Sequence, residues 1–491
     1  MSVCKPKTPE PPPSTSTIKR AQLVFVPCPG IGHLVSTVGF AKLILERNEN
    51  FLITMLLINH PYDPSVNSYV ESLVATHTQI KSITIPAIAD PPVEALTENP
   101  QRVFTQFIRD HGPLVKDAIV NQVIANSPAP VASVIVDFLC ACFIDVAKEL
   151  GVPSHVFFCS DAAFYGLTVY LSEREDGGQP KFREDDLDYT IPSYANPVPY
   201  RVLPLVHRDQ AYETFGALGR KCKERNGVII NTFSELESHA VNTLVARDDL
   251  PSIFTVGPLI DHRGKGLSGS EAAKRDEIMK WLDDQQENSV VFLCFGSQGA
   301  LREEQLKEIA IGLERSGQPF LWAVRKPPSP GEIVPGYYTR YDEIFPEEFL
   351  EKTKNIGRLC GWAPQVEVLA HRAVGAFVSH CGWNSTLESL WYGVPIITWP
   401  SYGEQQINAF QLVKDLGLAV ELTLDFRRDC PADFVKAEDI TKAVKYMMEQ
   451  GSEYRDKAKA TGEIAKQVLL EGGSSYVAFG RLIGQWLGNK L

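Results

Sequence analysis

Residues 362–405 read WAPQVEVLAHRAVGAFVSHCGWNSTLESLWYGVPIITWPSYGEQ, from Trp362 to Gln405. Two runs inside it, GAFVSH (Gly375–His380) and PIITW (Pro395–Trp399), are apolar over the length of a strand. Uninterrupted apolar strands are buried on both faces, as in a parallel sheet covered by helices. Between the two runs, Asn384-Ser385-Thr386 opens a helix. The unit is therefore strand, helix, strand, and polar side chains gather where its strands end.

Further from this stretch the alternation continues in two sets. AQLVFVP (Ala21–Pro27), LITMLLI (Leu52–Ile58), ASVIVD (Ala132–Asp137), SHVFFC (Ser154–Cys159) and GVIINT (Gly227–Thr232) predict one group of buried strands with helices between them. SVVFLCFG (Ser289–Gly296), PFLWAV (Pro319–Val324) and RLCGW (Arg358–Trp362) join the two runs above in a second group. Continuous strands alternating with helices specify an α/β protein with parallel sheets. A polar, Gly- and Ser-rich stretch, DHRGKGLSGSEAAKRDE (Asp261–Glu277), lies between the groups and has the composition of a linker. The organisation expected is a disordered tail over 1–20, a first domain over 21–259, a linker over 260–277, a second domain over 278–470 and a terminal amphipathic helix within 471–491.

A chain of 491 residues exceeds what one core supports. Its formal net charge of −12 offers no basic excess for phosphate backbones, which excludes nucleic acid as a partner. Ten cysteines without a CxxC pair suit a reduced, cytoplasmic protein, with Cys140 and Cys142 read as core. The first twenty residues, rich in Pro, Ser and Thr, read as a disordered tail and not a signal peptide. The longest apolar run, Val131–Ala147, is broken by Asp137 and Asp145, so no membrane insertion is expected.

The chemistry of the 362–405 stretch suits a nucleotide sugar. A base needs a flat surface, a ribose a carboxylate, a diphosphate amides and hydroxyls, and a hexose short polar groups. The 44 residues closely resemble the signature box of plant family 1 UDP-glycosyltransferases, and IPSYANPVP (Ile191–Pro199) with NTFSELESHAVNTL (Asn231–Leu244) resembles the family 71 branch. The resemblance runs from Ala21 to the C-terminus. It implies the GT-B fold, two Rossmann-like domains with parallel sheets facing across a cleft, with the terminal helix crossing back onto the first domain.

Read residue by residue, Trp362 offers a ring for uracil, or else a core tryptophan capping the sheet. Ala363 leaves the backbone open to the base edge, and Gln365 belongs to the same donor-binding set. His380, Gly382, Trp383, Asn384 and Ser385 run from a strand end into a helix start, where free amides favour a diphosphate. Ser385 and Glu388 also fit an S-x-x-E capping box; the resemblance instead gives Glu388 to the ribose hydroxyls. It gives Ser297, in Phe295-Gly296-Ser297, to the phosphates. Glu404 and Gln405 suit vicinal sugar hydroxyls, or a solvated loop, and the resemblance makes a terminal glutamine the mark of glucose.

In the first domain PGIGHL (Pro29–Leu34) places His33 after a strand, at a helix start. Such a histidine is either structural or a general base for an acceptor hydroxyl, since it titrates near working pH. The helix start is expected to keep it neutral. Asp137 ends the strand SVIVD, as a helix N-cap or as the partner of the His33 Nδ1–H. The resemblance makes His33 and Asp137 the catalytic pair and places an acceptor pocket near Phe138, His155 and Pro197–Leu205. The expected reaction is inverting transfer of glucose from UDP-glucose to a hydroxyl of a small hydrophobic acceptor, a flavonoid, other phenolic or terpenoid, by a monomer. No metal is expected; the DxD at Asp186-Leu187-Asp188 lies in an acidic polar stretch. Two other classes compete. GxG in PGIGHL suits a nicotinamide-dependent oxidoreductase, but Val35 replaces the third glycine and no acid ends the second strand. A non-catalytic nucleotide-sugar sensor would have no use for both His33 and Asp137.

Overall fold

The computed structural model describes residues 20–60, 63, 66, 79–89, 100–204, 212–224, 226–262, 270–329, 332 and 334–488. The tail read over 1–20 lies outside the described residues except for Arg20, as do 263–269 of the linker, Leu205 and the last three residues. From Ser270 onward the stretch read as linker is helical, within Ser270–Asp283.

Two all-parallel sheets carry the molecule. The first contains β1 (Ala21–Val26), β2 (Phe51–Leu57), β3 (Ile80–Thr84), β4 (Val131–Asp137), β5 (Ser154–Phe158), β6 (Gly227–Ile230) and β7 (Ser252–Thr255), in the order β3-β2-β1-β4-β5-β6-β7. The second contains β8 (Val290–Cys294), β9 (Phe320–Ala323), β10 (Gly357–Cys360), β11 (Val374–Ser379), β12 (Ile396–Thr398) and β13 (Ala419–Glu421), in the order β10-β9-β8-β11-β12-β13. All six residues of β1 and of β11 are buried, the polar Gln22 and Ser379 included, as strands covered on both faces require. The run Val131–Ala147 resolves into β4, a 3₁₀ turn over Phe138–Phe143 and the helix Ile144–Glu149. No described helix is long and apolar enough to cross a membrane.

The last described helix returns to the first sheet. The last helix, Ser474–Trp486, sets Phe479, Leu482 and Trp486 into the core of the first sheet, beside Phe40 and Phe51. Trp486 meets Phe51 edge-on with ring centroids 5.8 Å apart, and Arg47 donates to the Tyr476 carbonyl at 3.0 Å.

Other contacts join the two sheets' domains near the cleft. Trp383 Nε1 donates to the Asn231 carbonyl at 2.7 Å, Asn384 Nδ2 to the Gly32 carbonyl at 3.0 Å, and Gln411 Nε2 to Glu237 at 2.8 Å.

Candidate active site

Each sheet reverses its strand order once, between β1 and β4 in the first and between β8 and β11 in the second. At such a switch point the connections leave in opposite directions, opening a crevice beyond the carboxyl ends of the strands. Both clusters of polar residues named from the sequence sit there.

In the first sheet, Val26 of β1 lies opposite Val136 of β4, so the residues beyond them are neighbours. His33 is the third residue of the helix Ile31–Arg47, and Asp137 is the last of β4. Their side chains meet, His33 Nδ1 to Asp137 Oδ2, at 2.8 Å. Asp137 is 2% exposed, and its other oxygen accepts from the Leu139 N–H at 2.9 Å, capping the Phe138–Phe143 turn. The N-cap and the histidine partner are thus one side chain using both oxygens. Phe138 lies against the imidazole with ring centroids 5.7 Å apart. The Cys159 sulfur, just past β5, is 3.2 Å from His33 Nδ1 and 3.8 Å from Asp137 Oδ2. Donor atoms of Cys28, His33 and Asp137 lie within 4.8 Å of one another, close enough for one metal ion to touch all three.

Burial is the largest single influence on His33 and disfavours its imidazolium, but the Asp137 carboxylate leads the opposing influences, which together hold the pKa well above 6.5. Burial pushes the Cys159 thiol up to about 11, so it is neutral near pH 7 and adds little charge to that effect. The expectation that the helix start keeps His33 neutral is reversed. A helix terminus carries about half a charge, whereas the carboxylate at hydrogen-bond distance carries a whole one.

In the second sheet, β8 runs into Gly296, whose φ of 78° turns the chain sharply before the exposed Ser297. His380 follows β11. A Cβ on Gly296 or Gly382 would lie 2.7 or 2.6 Å from its Nε2, so both glycines are needed for the backbone to close around the ring. Burial pushes His380 down to about 4. It is therefore neutral near pH 7, beside the free amides of the helix start.

The helix after His380 begins at Trp383, with Gly382 as its cap and no side-chain capping bond. Ser385 is therefore inside the first turn and Glu388 is the sixth helical residue, so the capping-box reading fails. Gln365 Nε2 instead donates to both, at 2.8 Å to Ser385 Oγ and 2.7 Å to Glu388 Oε2. Burial raises Glu388 to about 7, against the Gln365 hydrogen bond. Trp362 follows β10 by two residues and is half-buried beside the buried Ala363, at the rim and not in the core.

Glu404 and Gln405 come across the cleft from the first-domain pair. Burial raises the Glu404 carboxyl, and His33 is near enough to oppose the shift. Gln405 Oε1 accepts from the N–H groups of Ser401 at 2.9 Å and Tyr402 at 3.1 Å. Its oxygen is committed to shaping the loop.

One sequence expectation is corrected. His155 is the second residue of β5, 1% exposed, bonded to Ser133 at 2.7 Å and packed edge-on against Trp486 at 5.7 Å. It sits at the far end of its strand under the last helix, away from any acceptor. The Trp383 indole and the Asn384 amide reach across to the first domain, and Asn384 Oδ1 also accepts from Ser36 at 2.9 Å. Asp186-Leu187-Asp188 forms a surface turn with Leu187 91% exposed, Asp186 bonding Tyr189. Reasoning from sequence also passed over Cys159 and the cleft residues Ser36 and Asn231. Cys159 ends the predicted strand SHVFFC, so the strand-end rule that selected Asp137 would have found it.

A family model described as UDP-glucoronosyl and UDP-glucosyl transferase matches residues 260–466. UDP-glycosyltransferase 71K2 of Pyrus communis is 44% identical, over 96% of this chain and 99% of its own. UDP-glucose flavonoid 3-O-glucosyltransferase 6 of Fragaria ananassa is 42% identical, over 95% and 99%. Among solved structures, Medicago truncatula UGT71G1 complexed with UDP-glucose superimposes with a TM-score of 0.87 at 39% identity, covering 96% of this chain and 99% of that one.

Proposed function

The chain belongs to the plant family 1 UDP-glycosyltransferases, in their family 71 branch, and from that membership we propose that it moves glucose from UDP-glucose to a hydroxyl of a small phenolic or terpenoid acceptor, inverting the anomeric centre. It has the GT-B fold and is a glycosyltransferase that uses a UDP-sugar.

The observation that carries the finer reading is the His33–Asp137 pair, set at one switch point with Glu404 in electrostatic reach across the cleft. An acceptor hydroxyl beside Nε2 of His33 gives up its proton as its oxygen attacks the anomeric carbon. The bond to UDP breaks on the opposite face, and UDP leaves with the electron pair. Asp137 fixes the ring through Nδ1 and stabilises the imidazolium that forms. Ser297, the neutral His380, Ser385 and the amides from Gly382 onward receive the diphosphate, Trp362 the uracil, and Glu388 the ribose. Phe138 lines the acceptor side. Both halves of this site come from one chain, which supports action as a monomer, and the nine described cysteines are free thiols, as in the reducing cytoplasm. Residues of this chain supply every role, so no metal enters the scheme.

Purified protein incubated with UDP-glucose and mixed plant aglycones should yield masses increased by one hexose. Absence of any such product across phenols, flavonoids and terpenoid alcohols would overturn the reading. The product should be the β-glucoside from the α-linked donor, and excess chelator should leave turnover intact; an α-linked product rules out a single displacement.

Sugar choice rests on Gln405. UDP-glucose should outcompete UDP-galactose and UDP-xylose as donor. Gln405→Ala should lower transfer while UDP still binds. Gln405→Glu keeps an oxygen for Ser401 and Tyr402 but loses the amide donor, and should show the same loss. Full transfer by Gln405→Glu would mean the residue only shapes the loop.

A further inference from the structure

We propose that Cys28, His33, Asp137 and Cys159 together form a binding site for a thiophilic divalent metal ion, zinc or cadmium, and that filling it disables the base. The inhibitory half of this inference rests on the proposed role of His33; the binding half does not.

The geometry is that of a ligand shell. Donor atoms of Cys28, His33 and Asp137 lie within 4.8 Å of one another. His33 Nδ1 is 2.8 Å from Asp137 Oδ2 and 3.2 Å from Cys159 Sγ, and Cys159 Sγ is 3.8 Å from Asp137 Oδ2. Tetrahedral zinc with ordinary bond lengths separates its nitrogen, oxygen and sulfur ligands by about 3.3–3.7 Å. The His33, Asp137 and Cys159 separations of 2.8, 3.2 and 3.8 Å lie within about half an ångström of these values, and Cys28, within 4.8 Å of His33 and Asp137, closes the shell by a shift of about an ångström. Two sulfurs, an imidazole and a carboxylate suit zinc or cadmium and not magnesium or calcium. Entry is from the cleft: the His33 side chain is 26% exposed and Cys159 is half-buried, with Cys28 and Asp137 forming the floor at 2% each.

Binding exchanges water on the ion for the Nδ1 lone pair, one Asp137 oxygen and the sulfurs. Each thiol that ligates releases its proton to solvent. The proton on Nδ1 is displaced, and the neutral ring keeps its remaining proton on Nε2. A ring metallated on Nδ1 and protonated on Nε2 has no lone pair left for the acceptor's proton. Turnover therefore stops without the ion touching the UDP-sugar residues, and the Asp137 contact that orients the ring is lost as well.

The test uses the full chain, freed of metal by chelator and kept reduced with a phosphine. Cadmium is added while the ultraviolet thiolate-to-cadmium band and turnover with UDP-glucose and a phenol are followed. The band should saturate at one equivalent as turnover falls, and chelator should reverse both. Cys28→Ser and Cys159→Ser, each compared with its own metal-free rate, should raise the inhibitory cadmium concentration at least about tenfold. The double variant should lose the band. A band of undiminished size in the double variant, or inhibition that is relieved by raising UDP-glucose, would overturn the site. A saturating band with full turnover would leave the site standing and overturn His33 as the base.

Discussion

Replacing His33 with alanine is expected to lower turnover by about 10²–10⁴-fold, the usual worth of a positioned general base, with UDP-glucose affinity little changed. The acceptor must be a weakly acidic alcohol, because an acidic phenol ionises without help. The wild-type pH profile carries a second signature. Only the neutral ring accepts a proton, and Asp137 holds its pKa well above 6.5. Turnover should therefore be low in acid and rise as pH passes a value above 6.5. Asp137→Ala removes the charge that favours imidazolium and leaves burial to oppose it, so the rising limb should move to lower pH. Its loss in rate should be smaller than that of His33→Ala, because it orients the base and takes no proton from the acceptor. Near-normal turnover of His33→Ala on the alcohol would remove the base assignment. A limb that stays in place in Asp137→Ala would separate the carboxylate from the titration.

Removing the ribose carboxylate or the uracil platform is the second large effect expected. Glu388→Ala and Trp362→Ala should each weaken UDP-glucose binding by about 1–3 kcal/mol, the scale of a charged hydrogen bond or an aromatic stack. Burial raises Glu388 to about 7, so near neutrality a large share of the protein carries it protonated. The ionised form accepts better from ribose hydroxyls. Affinity for UDP-glucose, whose phosphates do not titrate near 7, should therefore rise as pH passes through about 7 and level off above. Glu388→Gln should flatten that rise. A calorimetric titration showing full affinity in Glu388→Ala, with a lowered melting temperature, would leave Glu388 a structural role only.

The central strands were legible because burial on both faces writes an unbroken apolar run. The edges were not. In β3, Lys81 and Thr84 are exposed; β7 opens on the exposed Ser252; β13 is three residues long. Short strands with a solvated side carry too few apolar positions to stand out. The base pair was legible because His33 and Asp137 follow or end predicted strands, and ligands of parallel sheets meet those ends. His155 was chosen for its side-chain chemistry and not its place, four residues before the strand end where Cys159 sits. The cross-cleft contacts of Trp383 and Asn384 were illegible for a different reason. Their partners are 152 and 348 positions away, Asn231 and Ser36, and no local pattern records such a contact.

The position of the last helix sets a timetable for synthesis. Residues of the first sheet leave the ribosome early, and domains generally fold in that order. Yet Phe479, Leu482 and Trp486, which complete the core around Phe40 and Phe51, emerge only after the whole second sheet. Each buries apolar surface worth about 1.5–3 kcal/mol. Throughout translation of the second domain the first therefore waits with one apolar face uncovered. A premature stop shortly before Ser474 would release a chain that has every residue of its catalytic cleft and remains sticky for good.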